Sequence, residues 1–335
     1  MNYLIIGGVA GGATVAARLR RMDEKANIIL FERGKYVSYA NCGLPYYIGD
    51  TINNREKLFV QTAKGFTDRF RIDIRTEQEV TAIRPDKKEV EIKNLSTGET
   101  YTETYDKLVL SPGAEPLRPG IEGIGSKKIF TLRNVPDTDT IKNYVNTENP
   151  KRAIVVGGGF IGLEMAENLH DLGIQVDVVE MANQVMAPLD FSMAAIVHRQ
   201  LTDKGVGLHL EDGVSRFEEK DGGVTVHLRS GKQIATDMVL LSIGVRPETK
   251  LAKDAGLAIG ERGGITVNDY MQTSDADIYA LGDAVEVRHL VTGRPLFRWQ
   301  GRQTSRDASW RTISYSATKR NIRDQSELPL RKYST

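Results

Sequence analysis

The chain has 335 residues, of which 40% are apolar and 27% charged, with a formal net charge of +1. That composition supports two core-bearing domains and excludes wholesale disorder, and the near-zero charge excludes a global basic field for nucleic acid or an anionic membrane. A single cysteine, Cys42, excludes a disulfide scaffold and a paired-cysteine redox motif, and five dispersed histidines (170, 198, 209, 227 and 289) give no metal-ligand spacing, so no metal is expected. No apolar run approaches the roughly 20 residues of a membrane span. The Met1-Asn2-Tyr3-Leu4 start lacks the blocks of a signal peptide, so a cytoplasmic protein is expected.

In chain order, residues 2–6 form a short apolar run suited to a buried parallel strand. Gly7, Gly8, Gly11 and Gly12 follow, then Ala13 to Arg21, rich in helix formers, and a second apolar run that ends in Glu32. The same plan returns later. Residues 153–156 are apolar, Gly157, Gly159 and Gly162 make a glycine turn, and a helix over 163–172 leads to Gly173 at a C-cap position. The strand 176–179 then ends in Glu180. The two glycine turns start 150 residues apart and the two acids lie 148 apart, which reads as a duplicated βαβ unit. Each copy is followed by alternating, turn-broken sequence, around Pro85–Lys88 in the first and Asp221–Gly223 in the second, which predicts antiparallel meanders. Each meander leads to an apolar strand with a glycine exit, Gly113 and Gly244, where the chain is expected to cross between domains. The fold class is therefore α/β.

The second turn is an intact GxGxxG with an acid eighteen residues on. Its glycines allow a tight turn, close approach to a pyrophosphate and close helix–strand packing, while the helix N-terminus attracts the anion. Glu180 would bond a ribose hydroxyl and repel a 2′-phosphate, which favours NADH over NADPH. In the first turn Val9 replaces the second glycine and would crowd a pyrophosphate, but Glu32 occupies the matching acid position. A third segment, Ile278 to Asp283, reads as a strand whose Gly282-Asp283 end delivers a carboxylate to a sheet's C-terminal edge, where ligands of α/β folds bind.

The paired turns, Ser111-Pro112-Gly113-Ala114, Gly244-Val245-Arg246-Pro247 and Ala280-Leu281-Gly282-Asp283 together resemble the pyridine-nucleotide disulfide oxidoreductases over about residues 2–296. The resemblance implies two Rossmann-like domains. One binds FAD (residues 1–114, completed by 245–296) and the other NAD(P)H (115–244), and a C-terminal dimerisation domain would be missing here. It also implies that Asp283 binds the flavin's ribityl chain, that Phe160 gates the nicotinamide site, and that Glu164 is the acid one helical turn further on.

Cys42 lies at the family's redox position, in Ser38-Tyr39-Ala40-Asn41-Cys42-Gly43-Leu44-Pro45, and lacks the usual second cysteine. Chemistry must then run through one thiolate. The segment resembles that of coenzyme A disulfide reductases. On that resemblance Thr14, Arg18 and Arg21, spaced i, i+4, i+7 on one helix face, contact the substrate's nucleotide end, and Ser38 and Asn41 position its pantetheine end. The family's Lys after an Asp-Arg pair is absent, because Phe70 follows Asp68-Arg69, leaving Arg69 or Arg71 to substitute. The expected activity is reduction of coenzyme A disulfide, or a persulfide, by NAD(P)H through FAD and Cys42. The alternatives are an NADH oxidase or peroxidase cycling through a sulfenic acid, and an inactive nucleotide-binding remnant. The family partner is a second copy, forming a homodimer.

Residues 297–335 differ in kind, with nine Lys/Arg, three Asp/Glu, ten Ser/Thr and both tryptophans. Read one base earlier, the codons of Trp299 to Thr304 permit Leu-Ala-Gly-Pro-Ala-Asn, a family-like sequence, with two of three letters fixed at each step. The expectation is an out-of-frame tail following a frameshift near 296–298, whose basic character carries no nucleic-acid site.

Overall fold

The computed structural model describes residues 1–288 and the strand 295–296. The anomalous tail, 297–335, and His289 lie outside the described residues. Two compact units are formed, one from residues 1–38, 61–113 and the chain from 247 on, the other from 39–60 and 114–246.

In the first unit five parallel strands run in the order Ile278–Ala280, Lys107–Leu110, Asn2–Ile6, Asn27–Glu32, Asp73–Thr76. Both faces of this sheet are covered, which is why its strands read as continuous apolar runs. Tyr3, Ile5, Ile28, Leu30, Val109 and Tyr279 face the helix Gly11–Met22 through Ala13, Val15, Ala16 and Leu19. The alternate residues Leu4, Ile6, Ile29, Phe31, Leu108 and Leu110 face the meander Gln78–Arg84, Glu89–Asn94, Thr100–Thr104 through Val80, Ile83, Val90 and Ile92. A one-residue slip of any central strand would exchange these two sets, so the register is tightly specified.

The second unit repeats the plan. Parallel strands run in the order Gly207–His209, Gln175–Val179, Arg152–Val156, Met238–Leu241, Ile129–Phe130. The meander Val214–Lys220, Gly223–Leu228, Gln233–Thr236 covers one face, with Phe217, Val224, Val226 and Leu228 packed on Ile154, Val156, Val239 and Leu241. The helix after the glycine turn spans Phe160–Asp171, three residues earlier at its start than the sequence suggested, with Gly159 as its N-cap. Gly173 takes φ +80° just beyond its end, as a Cβ-free residue can.

The chain leaves the first unit after Gly113 and returns at Pro247. An earlier excursion has no counterpart in the sequence reading. Residues 39–60 lie within the stretch expected to belong to the first domain, yet they cluster with the second unit. The cause is packing: the short helix Leu44–Ile48 docks on helices Val135–Glu148 and Phe160–Asp171 of that unit. Among the described residues no helix is long and apolar enough to cross a membrane.

Candidate active site

Both glycine turns are built alike, and both require glycine. Gly7 has φ +96° and Gly157 φ +108°, a region that side chains rarely adopt. A Cβ at Gly7 would overlap the Ser111 carbonyl oxygen, and one at Gly157 would overlap that of Ser242. Likewise a Cβ at Gly12 would run into the Gly7 carbonyl and one at Gly162 into the Gly157 carbonyl. These contacts seat each helix start directly on the strand end.

The acids close the turns. Gly8 N–H donates to Glu32 Oε2 and Gly34 N–H to Glu32 Oε1, both at 2.8 Å. In the second unit Gly158 N–H donates to Glu180 Oε2 at 2.7 Å and Ala182 N–H to Glu180 Oε1 at 2.8 Å. Each carboxylate oxygen keeps spare accepting capacity for a hydroxyl. Neither helix carries an acidic residue in its first turn, so each N-terminus keeps its attraction for an anion. A Cβ at Gly159 would meet nothing within 4 Å, which leaves open space at the position where Val9 stands in the first turn.

Ser111 and Ser242 have no functional role in the sequence reading, yet they are the matching third walls of the two turns. Ser111 N–H donates to the Ile6 carbonyl and Ser242 N–H to the Val156 carbonyl, both at 2.8 Å. The hydroxyl of Ser242 also donates to the Val156 and Gly157 carbonyls at 3.1 and 3.2 Å. The available signal was the repeated Ser-x-Gly that follows the strands Lys107–Leu110 and Met238–Leu241.

In the first unit Asp283 follows the strand Ile278–Ala280 in a short 3-10 turn, next to Gly282 with φ +78°. Burial pushes its carboxyl above the usual carboxylate range, and among the described residues it makes no hydrogen bond or ion pair. On the helix Gly11–Met22, Thr14 donates its hydroxyl back to the Ala10 carbonyl at 2.7 Å, Arg18 is half-buried and Arg21 is exposed. Their neighbour Arg20 is buried and structural. Its guanidinium donates to the carbonyls of Asp23, Glu24, Ala26, Phe70 and Arg71. Arg71 itself ends the helix Ala63–Phe70 in a left-handed conformation, and Arg69 stacks over Phe70. Ser38 adopts φ +48°, and its N–H donates to the Gly8 carbonyl at 2.9 Å. Gly113 has φ +76°, and its carbonyl accepts from Glu248 N–H at 2.9 Å.

The second unit gathers the other expected residues. Cys42 is an exposed, free thiol in the 3-10 turn Asn41–Gly43, which runs directly into the helix Leu44–Ile48. Asn41 beside it is exposed. Phe160 is 49% exposed at the start of its helix, and Glu164 lies one turn further on. Burial first, then the charge of Glu167, pushes the Glu164 carboxyl above its usual range. The phenol of Tyr46 is raised by desolvation, then by Glu164, Glu167 and Cys42, so these four groups share one electrostatic neighbourhood. Gly244 has φ +117° beyond the strand Met238–Leu241. Among the described residues no three His, Cys, Asp or Glu side chains converge as a metal site.

The arrangement amounts to two glycine turns of one design, each closed by an acid, and one exposed thiol. The profile of the family described as Pyridine nucleotide-disulphide oxidoreductase matches residues 1–305. The chain belongs to that family.

Among its relatives, the coenzyme A disulfide reductase of Staphylococcus haemolyticus is 36% identical over 284 residues, 85% of this chain and 63% of that protein. The reduced CoADR-RHD of Bacillus anthracis superimposes with a TM-score of 0.91 at 52% identity, covering 94% of this chain and 57% of that one. An NAD-dependent persulfide reductase from A. fulgidus also gives 0.91, at 37% identity, covering 96% of this chain and 59% of that one. The chain thus spans less than two thirds of the length of these oxidoreductases.

Proposed function

We propose that this chain carries the two nucleotide-binding units of a flavoprotein that reduces coenzyme A disulfide, or a coenzyme A persulfide, at the expense of NAD(P)H. The observation that carries the reading is Cys42: the only cysteine of the chain, exposed, and placed in the unit with the intact GxGxxG, where its charge and that of Glu164 both act on Tyr46. The names of the relatives support the substrate class.

The first unit suits FAD. Its glycine cradle leaves no room for a Cβ, its helix N-terminus is free of acid, Glu32 suits the adenosine ribose, and the carboxyl of Asp283, with no partner among the described residues, suits a hydroxyl of the ribityl chain. Gly113 and Gly282 line the strand ends of the same unit. The second unit suits the nicotinamide dinucleotide, with Gly157, Gly159 and Gly162 at the pyrophosphate, Glu180 at the ribose, and Phe160 and Glu164 toward the nicotinamide, with Gly244 beyond the neighbouring strand. Glu180 favours NADH, because a 2′-phosphate beside its carboxylate would be repelled. Arg18 and Arg21, with Thr14, supply charge and polarity for the substrate's nucleotide end, and Ser38 and Asn41 serve its pantetheine arm.

In the reaction the Cys42 thiolate attacks one sulfur of the disulfide. The Cys42–coenzyme A bond forms as the substrate S–S bond breaks, and the departing coenzyme A thiolate takes a proton from water. Held by the first unit, FAD would supply a two-electron relay from NAD(P)H; on taking up two electrons the Cys42–coenzyme A bond would break and return both sulfurs as thiolates. The whole protein is read as a homodimer.

The test is NADH oxidation by the purified yellow protein with and without coenzyme A disulfide. Oxidation that depends on the disulfide, with coenzyme A released, supports the proposal. Oxidation driven equally by oxygen or peroxide alone would instead favour a sulfenic acid at Cys42.

A further inference from the structure

The segment that carries Cys42 is clamped to the second unit by charges that the proposed chemistry does not use. The helix Val135–Glu148 starts from a capping box between Asn134 and Asp137, with Pro136 in its first turn, and is anchored through buried Val135, Thr138 and Ile141. One turn in, it presents Asp139 and Lys142, three residues apart and therefore on one face. Asp139 takes a two-pronged ion pair from Arg55, Nε to Oδ1 at 2.8 Å and Nη2 to Oδ2 at 2.7 Å. Lys142 is only 11% exposed. Its ammonium donates to the Ile48 carbonyl at 3.0 Å, pairs with Asp50 Oδ1 at 2.6 Å and lies 5.7 Å from the centre of the Tyr47 ring.

Ile48 is the last residue of the helix whose opening turn holds Cys42. Lys142 therefore caps the C-terminal end of the Cys42 helix, where a cation also complements the helix dipole. The next residue, Gly49, is held equally closely. A Cβ there would overlap the side-chain oxygen of buried Asn168, on the helix that also carries Phe160 and Glu164. A segment of eight helical residues, pinned at its far end from two helices, has little freedom to tilt its cysteine end.

We infer that Lys142 is a positioning residue for Cys42, fixing the reach of the thiol by capping the helix behind it through Ile48 and Asp50. The inference rests on Cys42 being the reacting residue, but its structural half can be read without turnover.

The experiment compares wild type, Lys142→Met, Lys142→Arg and, as a control for general destabilisation in the same unit, Val226→Ala in the buried meander core. Hydrogen exchange followed by mass spectrometry should show the amides of 41–50 opening about tenfold faster in Lys142→Met, with the strand 152–156 unchanged and Lys142→Arg largely restored. Formation of the Cys42 mixed disulfide with coenzyme A disulfide should slow about tenfold, a loss of roughly 1.4 kcal/mol. Alkylation by small, neutral iodoacetamide should be unchanged, because Cys42 is already exposed. If Lys142→Met does not fold, Asp50→Asn, which alters the exposed partner alone, should shift both readouts in the same direction by less. Faster exchange spread over the whole unit as in Val226→Ala, or equal slowing with both reagents, would overturn the inference. A wild type with a protected 41–50 segment that forms no coenzyme A adduct would instead overturn the proposed substrate and leave the clamp standing.

Discussion

Gly158 N–H donates to the Glu180 carboxylate at 2.7 Å, so the acid at the end of one strand helps to set the glycine turn at the end of its neighbour. The same bond joins Gly8 to Glu32 in the first unit. Each acid holds its turn, and under the proposed function its remaining lone pairs would also serve a ribose. Replacing Glu180 with Ala should weaken NADH binding about tenfold and narrow the preference over NADPH, since attraction to the ribose and repulsion of a 2′-phosphate vanish together. Fluorescence titration with both nucleotides checks this. An unchanged NADH affinity would mean that Glu180 serves the turn alone.

Burial of the Asp283 carboxyl comes at a cost to the fold. Its pKa is raised by burial, so the unfolded chain ionises it at lower pH than the folded one. Its contribution therefore disfavours the flavin-free fold progressively as pH rises through the raised value, and the penalty disappears below the ordinary carboxylate range. Asp283→Asn should raise the Tm of flavin-free protein at neutral pH, with the gain shrinking toward acid pH, and should weaken FAD binding. Thermal scans across pH and flavin titration measure the two effects. A fall in Tm at neutral pH would contradict the assignment.

Arg20 should behave in the opposite way. It is buried and donates to five backbone carbonyls, those of Asp23, Glu24, Ala26, Phe70 and Arg71. Arg20→Met should cost about 2–4 kcal/mol of stability, because five carbonyls lose a charged donor, that of Ala26 in a buried setting. The exposed Arg21→Met should cost almost nothing in stability and appear instead in substrate affinity. Urea denaturation of both variants separates these roles.

The sequence reading reached the two cradles because their chemistry is periodic. Glycines at fixed spacing, acids at the ends of second strands and strict alternation in the meanders are all local signals. Residues whose task is set by a single distant contact were not legible. Nothing near Lys142 in sequence signals that it caps a helix about ninety residues earlier, and Arg20 differs from Arg18 and Arg21 only in the helix face it occupies. The inclusion of 39–60 in the second unit was hidden for the same reason, since it depends on Gly49 meeting Asn168 and Arg55 meeting Asp139. Ser111 and Ser242 could have been found, because they recur at equivalent points of the duplication.

The most direct test of the account is the intact mass of the protein after exposure to coenzyme A disulfide without NADH. The prediction is one coenzyme A adduct per chain, mapped to Cys42, released by dithiothreitol and absent from a Cys42→Ser variant that still binds FAD. An unmodified chain, or one that reacts only with peroxide by gaining oxygen at Cys42, would contradict it.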